Sequence, residues 1–228
     1  MGSRADLARM YALLDGHFGA LHWWPAEEPF EVAVGAILTQ NTAWTNVEKA
    51  IAALKAKGLL APEALFRIDT QQLAGVIRPA GYFNVKAERL QSFVRFLREG
   101  YGGDMERMAA EPLPVLRDKL LGVRGIGPET ADSILLYACG KPTFVCDAYT
   151  RRILLRHGMI GDHADYRLIQ EMFMRDLAPD VALFNQFHAL IVNTGKAFCR
   201  TAPNCAPCPL RELGAVRGRR PGQRRDSR

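Results

Sequence analysis

The residues with the clearest capacity for chemistry form a glycine-rich loop, GVRGIGPETAD, which contains Gly122, Gly125 and Gly127. Glycine allows a sharp turn and a close approach between backbone and ligand, and Pro128 suits the first turn of a following helix. The start of that helix would present free N–H groups and a positive dipole end to an anion. The local pattern therefore predicts either a phosphate-binding loop or a plain turn between two helices.

Two familiar phosphate loops do not fit this sequence. A Walker loop ends in Gly-Lys followed by Ser or Thr, and this loop has no such ending. A dinucleotide-binding loop follows a β-strand, whereas the preceding LPVLRDKL has a helical pattern. What is left is a helix, a glycine hairpin and a second helix, which can hold a nucleic-acid phosphate without reading the base sequence.

Cysteine spacing indicates a second kind of chemistry. The chain has five cysteines, and an odd count without a secretion signal argues against a disulfide framework. Cys199, Cys205 and Cys208 lie within ten residues of one another, which predicts ligation of a metal ion or cluster. Cys139 and Cys146 flank a different segment, so we do not expect them to join this group.

Two carboxylates lie at predicted helix starts. Asp147 precedes the helix-like AYTRRILLRHG, and Asp is a common N-cap because its side chain accepts hydrogen bonds from the first turn. Glu129 follows the glycine loop, where the helix dipole favours an acid. The residue types alone therefore account for both as local helix-start residues.

Helical periodicity runs through almost the whole chain, and no segment shows convincing alternation of period two. In NVKAERLQSFVRFLREG the apolar residues form one helical stripe, and Gly100 is expected to end the helix. The stripe comprises Val85, Leu90, Phe93, Val94 and Leu97. NVEKAIAALKAKG, YRLIQEMFMRDLAPD and VALFNQFHALIVNTG give similar patterns, so the sequence predicts an all-α fold.

Composition narrows the class of protein. The 228 residues are 48% hydrophobic and 24% charged, which is ordinary for a globular protein, and no apolar run is long enough to cross a membrane. The formal charge of +6 favours an anionic partner. Much of that charge lies in residues 214–228, which we expect to be a disordered basic tail. The N-terminal residues lack the apolar stretch of a signal peptide, so a cytoplasmic location is expected.

Four segments, in chain order, resemble DNA glycosylases of the helix-hairpin-helix superfamily related to endonuclease III. They are FEVAVGAILTQNTAWTNVEKAI, LLGVRGIGPETAD, TFVCDAYTRRIL and CRTAPNCAPC. The resemblance implies two helical lobes, with double-stranded DNA and the base pocket in the cleft between them. The implied terminal lobe comprises 1–28 and 139–213, and the central lobe comprises 29–138, with its helix-hairpin-helix at 115–135.

The resemblance also implies a reaction. Asp147 becomes the catalytic carboxylate, which would stabilise an oxocarbenium-like sugar or activate water at a flipped-out damaged nucleotide. Bifunctional members carry a lysine where this chain has Glu129, and a carboxylate cannot form the Schiff base needed for strand cleavage. We therefore expect a monofunctional enzyme in which Glu129 helps to position water. The alternatives are an endonuclease III-like glycosylase with lyase activity and a non-catalytic DNA-binding module.

Several further residues gain roles from the resemblance. WWP followed by FEVAVGAILTQNT, together with RPAGYFNVKAERL, resembles the 3-methyladenine glycosylases of the endonuclease III type, which implies alkylated purines as substrates. Trp23, Trp24 and Trp44 would then stack on a cationic base, although tryptophans equally fill cores. Gln40 matches the side chain that fills the gap left by the flipped base. The implied DNA-binding hairpin residues are Gly122, Val123, Gly125, Ile126, Gly127 and Thr130.

The cysteine segment resembles most of the family's iron–sulfur loop, which reads Cys-x6-Cys-x2-Cys-x5-Cys. Here the first spacing is five residues, and the fourth ligand position falls on Gly214. Three interpretations stay open: a [4Fe-4S] cluster with a non-cysteine fourth ligand, a zinc site completed by a histidine such as His188, or a loop without metal. The protein is expected to act as a monomer.

Overall fold

The computed structural model describes residues 3–21 and 28–213, and the regular elements within these ranges are all helical. The all-α fold predicted from periodicity is therefore confirmed for these residues. Short 3₁₀ turns lie at Arg78–Ala80 and Pro209–Leu213, and a π-helical turn lies at Ile134–Ala138. The α-helices are α1 (Arg4–Phe18), α2 (Pro29–Leu38), α3 (Trp44–Ala56), α4 (Pro62–Arg67), α5 (Thr70–Val76), α6 (Phe83–Tyr101), α7 (Met105–Ala109), α8 (Leu113–Leu121), α9 (Pro128–Ser133), α10 (Ala148–Arg156), α11 (Tyr166–Asp176) and α12 (Val181–Ala197).

The described residues divide into two compact units. Residues 3–21 and 144–213 form the terminal unit, which contains α1 and α10–α12, and residues 28–143 form the central unit, which contains α2–α9. The central unit ends at residue 143, whereas the family resemblance predicted that the central lobe would end at residue 138. The predicted basic tail at 214–228 lies outside the described residues. In the described part of the chain, no helix combines the length and apolarity needed to span a membrane.

Helix α2 forms the centre of the core of the central unit. Its sequence PFEVAVGAIL is apolar apart from Glu31, which pairs with Lys55, and every residue from Phe30 to Leu38 is buried. A helix that is hydrophobic all round must be enclosed by other elements, and α3, α6 and α9 pack against it. The end of α2 at Leu38 is therefore a fixed point from which the next loop starts.

Helix α6 corrects two expectations. It continues through Gly100 to Tyr101 and ends at Gly102, which has the left-handed conformation with φ of 67°. Val85 was expected in the core but is 46% exposed, while Lys86 is 1% exposed. The buried stripe is Lys86, Leu90, Phe93, Val94 and Leu97. The apolar pattern was therefore displaced by one residue in the first turn, because a lysine occupies the inward position.

The terminal unit is built around aromatic side chains and one close helix contact. Phe144 stacks on Phe173 with ring centroids 3.8 Å apart, and the edges of Phe184 and Phe187 pack against Phe144. Helices α10 and α12 pack together, and a Cβ atom at Gly195 would lie 2.2 Å from the Tyr149 ring. Gly195 therefore permits the approach that fixes α10, the helix that begins beside Asp147.

Candidate active site

The glycine loop forms a hairpin between α8 and α9, as the sequence predicts. Val123 and Ile126 are buried in the central core, whereas Gly122, Gly125 and Gly127 are exposed. Gly125 has φ of 86°, and a Cβ atom there would lie 2.3 Å from Cγ of Arg89. Two apolar side chains therefore anchor the hairpin and leave its backbone accessible, which suits a phosphate contact that involves backbone groups alone.

A buried ion pair holds the two helices of this hairpin together. Arg117 on α8 donates from Nε to Oδ1 of Asp132 on α9 at 2.8 Å and from Nη2 to Oδ2 at 3.0 Å. The hydroxyl of Thr143 also donates to Oδ1 of Asp132 at 3.2 Å. Asp132 is fully buried, so this bidentate geometry compensates the cost of removing its charge from water.

Gln40 contacts the hairpin directly. Its Nε2 donates to the Gly125 carbonyl at 3.1 Å and to the Thr130 hydroxyl at 2.8 Å, and Arg89 donates to its Oε1. Thr130 is buried and is bound to Gln40 in this way, so its hydroxyl is not presented to solvent. The structure thus brings together three residues that sequence resemblance assigned to DNA contact, Gln40, Gly125 and Thr130.

Tyr82 is a candidate DNA contact that the sequence analysis missed. It is 72% exposed and has φ of 46°, and Asn41 beside Gln40 has φ of 53°. Positive φ is rare for residues other than glycine, and such strain tends to persist at functional sites. The two turns are neighbours, because a Cβ atom at Gly81 would lie 3.8 Å from the Thr42 hydroxyl. The local sequence around Tyr82 does not predict its exposure or its positive φ, so sequence alone did not identify it as a DNA contact.

The side chain of Lys86 is hydrogen-bonded to the residues that precede both of these turns. Its Nζ donates to the Leu38 carbonyl at 2.8 Å and to the Ala80 carbonyl at 2.7 Å. Leu38 is the last residue of α2, and Ala80 is the last residue of the 3₁₀ turn Arg78–Ala80. Burial lowers the pKa of Lys86 from its usual 10.5 to about 8, and the positive charge of Arg89 acts in the same direction.

Asp147 is the N-cap of α10, as its sequence context indicates. Its Oδ1 accepts from the Thr150 backbone N–H at 2.8 Å and from the Thr150 hydroxyl at 2.9 Å. Its Oδ2 lies 3.8 Å from Nε2 of His188 on α12, and its side chain is 15% exposed. One oxygen is therefore fixed by the helix start, while the other lies towards a histidine.

His188 lies beside the second oxygen of Asp147. It was considered as a zinc ligand beside the cysteines, but it is buried next to Asp147. Burial lowers the pKa of His188, and the charge of Asp147 opposes that shift. The imidazole is therefore neutral at neutral pH. A neutral ring 3.8 Å from Oδ2 of Asp147 does not cancel the charge of that carboxylate.

The remaining predicted site residues are the catalytic candidate Glu129 and the three base-pocket tryptophans. Glu129 is exposed in the first turn of α9 in the central unit, and its carbonyl accepts from the Ser133 hydroxyl at 2.7 Å. Trp44 begins α3, packs partly against the central core and donates from Nε1 to Glu48 at 2.9 Å. Trp23 and Trp24 lie outside the described residues.

The three clustered cysteines border one small cavity in the terminal unit. Cys199, Cys205, Cys208 and His157 all line this cavity, whose volume is about 20 Å³. Nη1 of Arg156 donates to the Cys199 sulfur at 3.1 Å. Burial raises the pKa of Cys208, with smaller contributions from Cys199 and Cys205. Within the described residues, no three His, Cys, Asp or Glu side chains meet the spacing of a metal site.

Known proteins share both the sequence and the fold. Residues 34–179 match the model of the HhH-GPD superfamily of base excision DNA repair proteins. A putative DNA repair glycosylase from Methanocaldococcus jannaschii is 45% identical over 207 residues, which cover 90% of this chain and 94% of that protein. Endonuclease III from Bacillus subtilis is 26% identical over 201 residues, covering 88% and 84% of the two chains.

Solved structures give the same result. An H. pylori 3-methyladenine DNA glycosylase bound to 1,N6-ethenoadenine matches with a TM-score of 0.73 and 29% identity, over 86% of this chain and 98% of that one. A non-covalent endonuclease III–DNA complex matches with a TM-score of 0.81 over 95% and 96%, and its 22% identity supports the fold alone.

The helical hairpin and the fold around it define a DNA-binding enzyme of the DNA glycosylase class. The chain belongs to the HhH-GPD superfamily of base excision DNA repair proteins.

Proposed function

We propose that this protein is a monofunctional DNA N-glycosylase that removes alkylated purines, 3-methyladenine among them, from duplex DNA. The observation that carries the proposal is Glu129, the residue after the hairpin at which bifunctional relatives have a lysine. A carboxylate cannot form a Schiff base with the sugar. The similarity to a 3-methyladenine DNA glycosylase supports the substrate class.

Asp147 would act on the sugar of the flipped nucleotide. As the bond between C1′ and the base nitrogen breaks, the base leaves with the electron pair and the sugar gains oxocarbenium character. The ionised Asp147 carboxylate stabilises that charge, and a water oxygen then bonds to C1′ as the water proton passes to the same carboxylate acting as general base. The contacts from Thr150 favour one orientation of the carboxylate.

Alkylated purines suit such a reaction. A purine alkylated at N3 or N7, such as 3-methyladenine, carries a positive charge in the nucleotide, so it departs as a neutral base and needs no acid to protonate it. A single ionised Asp147 is then sufficient. Aromatic faces attract cationic bases, and we propose Trp23, Trp24 and Trp44 as the stacking surface.

Gln40 and Tyr82 are the residues that we propose for insertion into the duplex. Enzymes that flip a base must fill or wedge the space that it leaves, and they commonly use side chains that unstack neighbouring bases. Tyr82 offers an exposed aromatic ring on a strained turn, and Gln40 lies on the adjacent turn. The exposed hairpin backbone would hold a phosphate nearby.

We expect base release only from duplexes that carry an alkylated purine. The test uses duplexes with single lesions: 3-methyladenine, 1,N6-ethenoadenine, thymine glycol and uracil. Hot alkali would reveal abasic sites, and borohydride added during the reaction would trap any amine–sugar Schiff base. Release of the alkylated bases without trapping supports the proposal.

The runner-up function is an endonuclease III-like glycosylase and lyase for oxidised pyrimidines, which the similarity to endonuclease III favours. Release of thymine glycol with strong borohydride trapping would establish that alternative. It would also mean that a lysine elsewhere in the chain supplies the nucleophile.

We also propose that Cys199, Cys205 and Cys208 hold a structural metal centre. Their shared cavity and the Arg156 guanidinium, which donates to the Cys199 sulfur, support this. Three thiolates and one imidazole suit zinc, and His157 lines the same cavity, so it is the candidate fourth ligand. These side chains do not meet the spacing of a metal site in the structure, so binding would have to draw them closer together.

We expect one zinc per chain in protein purified with metal-free buffers, measured by elemental analysis, with loss of most of that zinc in Cys205→Ser. Cys139→Ser is the matched control and should keep its zinc, because Cys139 does not line the cavity. Brown protein that contains iron would show that the cysteines hold an iron–sulfur cluster instead of zinc. Protein that takes up neither metal would contradict the proposal.

A further inference from the structure

One buried lysine is bonded to the ends of both elements that lead into the proposed insertion turns. Nζ of Lys86 donates to the carbonyls of Leu38 and Ala80 at 2.8 and 2.7 Å. Gln40 follows Leu38 by two residues, and Tyr82 follows Ala80 by two residues. The backbone N–H of Lys86 also donates to the Tyr82 carbonyl at 3.0 Å.

The position of this lysine is unusual for its residue type. Lysine is rarely buried fully without a partner of opposite charge. Among the residues that the structure describes, this amine donates to two backbone carbonyls, and the charge that acts on its pKa is that of another cation, Arg89. An apolar residue would fill the same inward position on α6 without that cost, as Leu90 and Phe93 do. What an apolar residue would lack is the ability to bind two carbonyls from separate turns.

We propose that Lys86 is a positioning residue that holds the Gln40 turn and the Tyr82 turn in one fixed arrangement for insertion into DNA. The inference rests on the proposed insertion role of these two side chains. Its geometric basis is the pair of short hydrogen bonds from a single Nζ. Each turn contains a non-glycine residue with positive φ, Asn41 and Tyr82, and such conformations persist only where the surroundings enforce them.

The chemistry of an amine suits this task. An ammonium group has three N–H donors and a neutral amine has two, so either protonation state can satisfy both carbonyls. The lowered pKa of Lys86 is consistent with an amine that is enclosed and bound chiefly by neutral groups. A change in the protonation state of Lys86 therefore does not break the two hydrogen bonds, and they join the turns in either state.

The experiment separates insertion from binding. The probe is a duplex with a tetrahydrofuran abasic analogue and 2-aminopurine opposite it, whose fluorescence rises when the base is unstacked. We expect Lys86→Met to reduce this rise and the rate of base release by about 10-fold to 10²-fold. Affinity for an undamaged duplex should stay within about twofold, because phosphate contacts through the hairpin dominate that binding.

Lys55→Met is the matched control. It removes a lysine of the same unit that pairs with the buried Glu31 at 2.9 Å, so it changes charge and stability without touching either turn. We expect a normal fluorescence rise from this variant. Lys86→Gln, which keeps two N–H donors on a shorter side chain, should give an intermediate rise.

Each outcome has one interpretation. A wild-type protein that produces no fluorescence rise contradicts the proposed insertion role itself. A wild-type rise that persists in Lys86→Met contradicts the role of Lys86 alone. If circular dichroism at 10 °C shows both Lys86 variants unfolded, Lys86 is a folding residue and the positioning role is overturned.

Discussion

Asp147→Asn is expected to slow base release by about 10²-fold to 10⁴-fold while leaving DNA binding intact. The substitution removes the negative charge that the developing sugar cation needs. It keeps the shape of the side chain, and Asn is as good an N-cap as Asp, so Thr150 can still donate its two hydrogen bonds. The loss should therefore appear in the chemical step and not in stability.

The measurement is single-turnover release from a lesion duplex with enzyme in excess, together with fluorescence anisotropy for binding. Asp165→Asn is the matched control, since Asp165 caps α11 in the same unit and accepts from the Leu168 N–H at 2.8 Å. The control should release base at the wild-type rate. Base release at the wild-type rate by Asp147→Asn would contradict the proposed catalytic role of Asp147.

The helices of this fold could be predicted from sequence because their signals are local. The glycine hairpin, the α9 proline and the Asp147 cap all act within a few residues, and the structure contains each of them. The exception was the first turn of α6, where an apolar Val85 was expected in the core and Lys86 occupies that place. Its carbonyl partner on Leu38 is 48 residues away, and helical periodicity carries no information about such a partner.

The candidate site shows the same limit. Resemblance identified Gln40, Gly125 and Thr130 separately, but their mutual hydrogen bonds span 85 and 90 residues and emerge only from the folded chain. His188 lies on α12, and its spacing from Cys199 gave no reason to place it beside Asp147 instead of the cysteines. Tyr82 had no local signal at all, since both its exposure and its positive φ are properties of the tertiary structure.

Asp132→Ala is expected to lower the free energy of unfolding by about 3 kcal/mol, because it removes the bidentate carboxylate from the Arg117 guanidinium in a buried ion pair. The lower end of the usual range applies, since the Arg117 side chain is 27% exposed and gains some water. The same change leaves the Thr143 hydroxyl without its Asp132 acceptor. Urea denaturation would measure the loss.

Asp118→Ala on the exposed side of α8 is the control for that loss and should change stability by no more than about 0.5 kcal/mol. Joint replacement by Arg117→Met and Asp132→Leu should recover much of the stability, because no buried charge then lacks a partner. The ion pair joins the two helices of the hairpin. At temperatures where the Asp132→Ala protein is folded, it should therefore bind an undamaged duplex more weakly than the wild type. The Asp118→Ala protein should bind that duplex as the wild type does. An unchanged unfolding midpoint in Asp132→Ala would show that the apolar contacts of Val123 and Ile126 hold the hairpin by themselves.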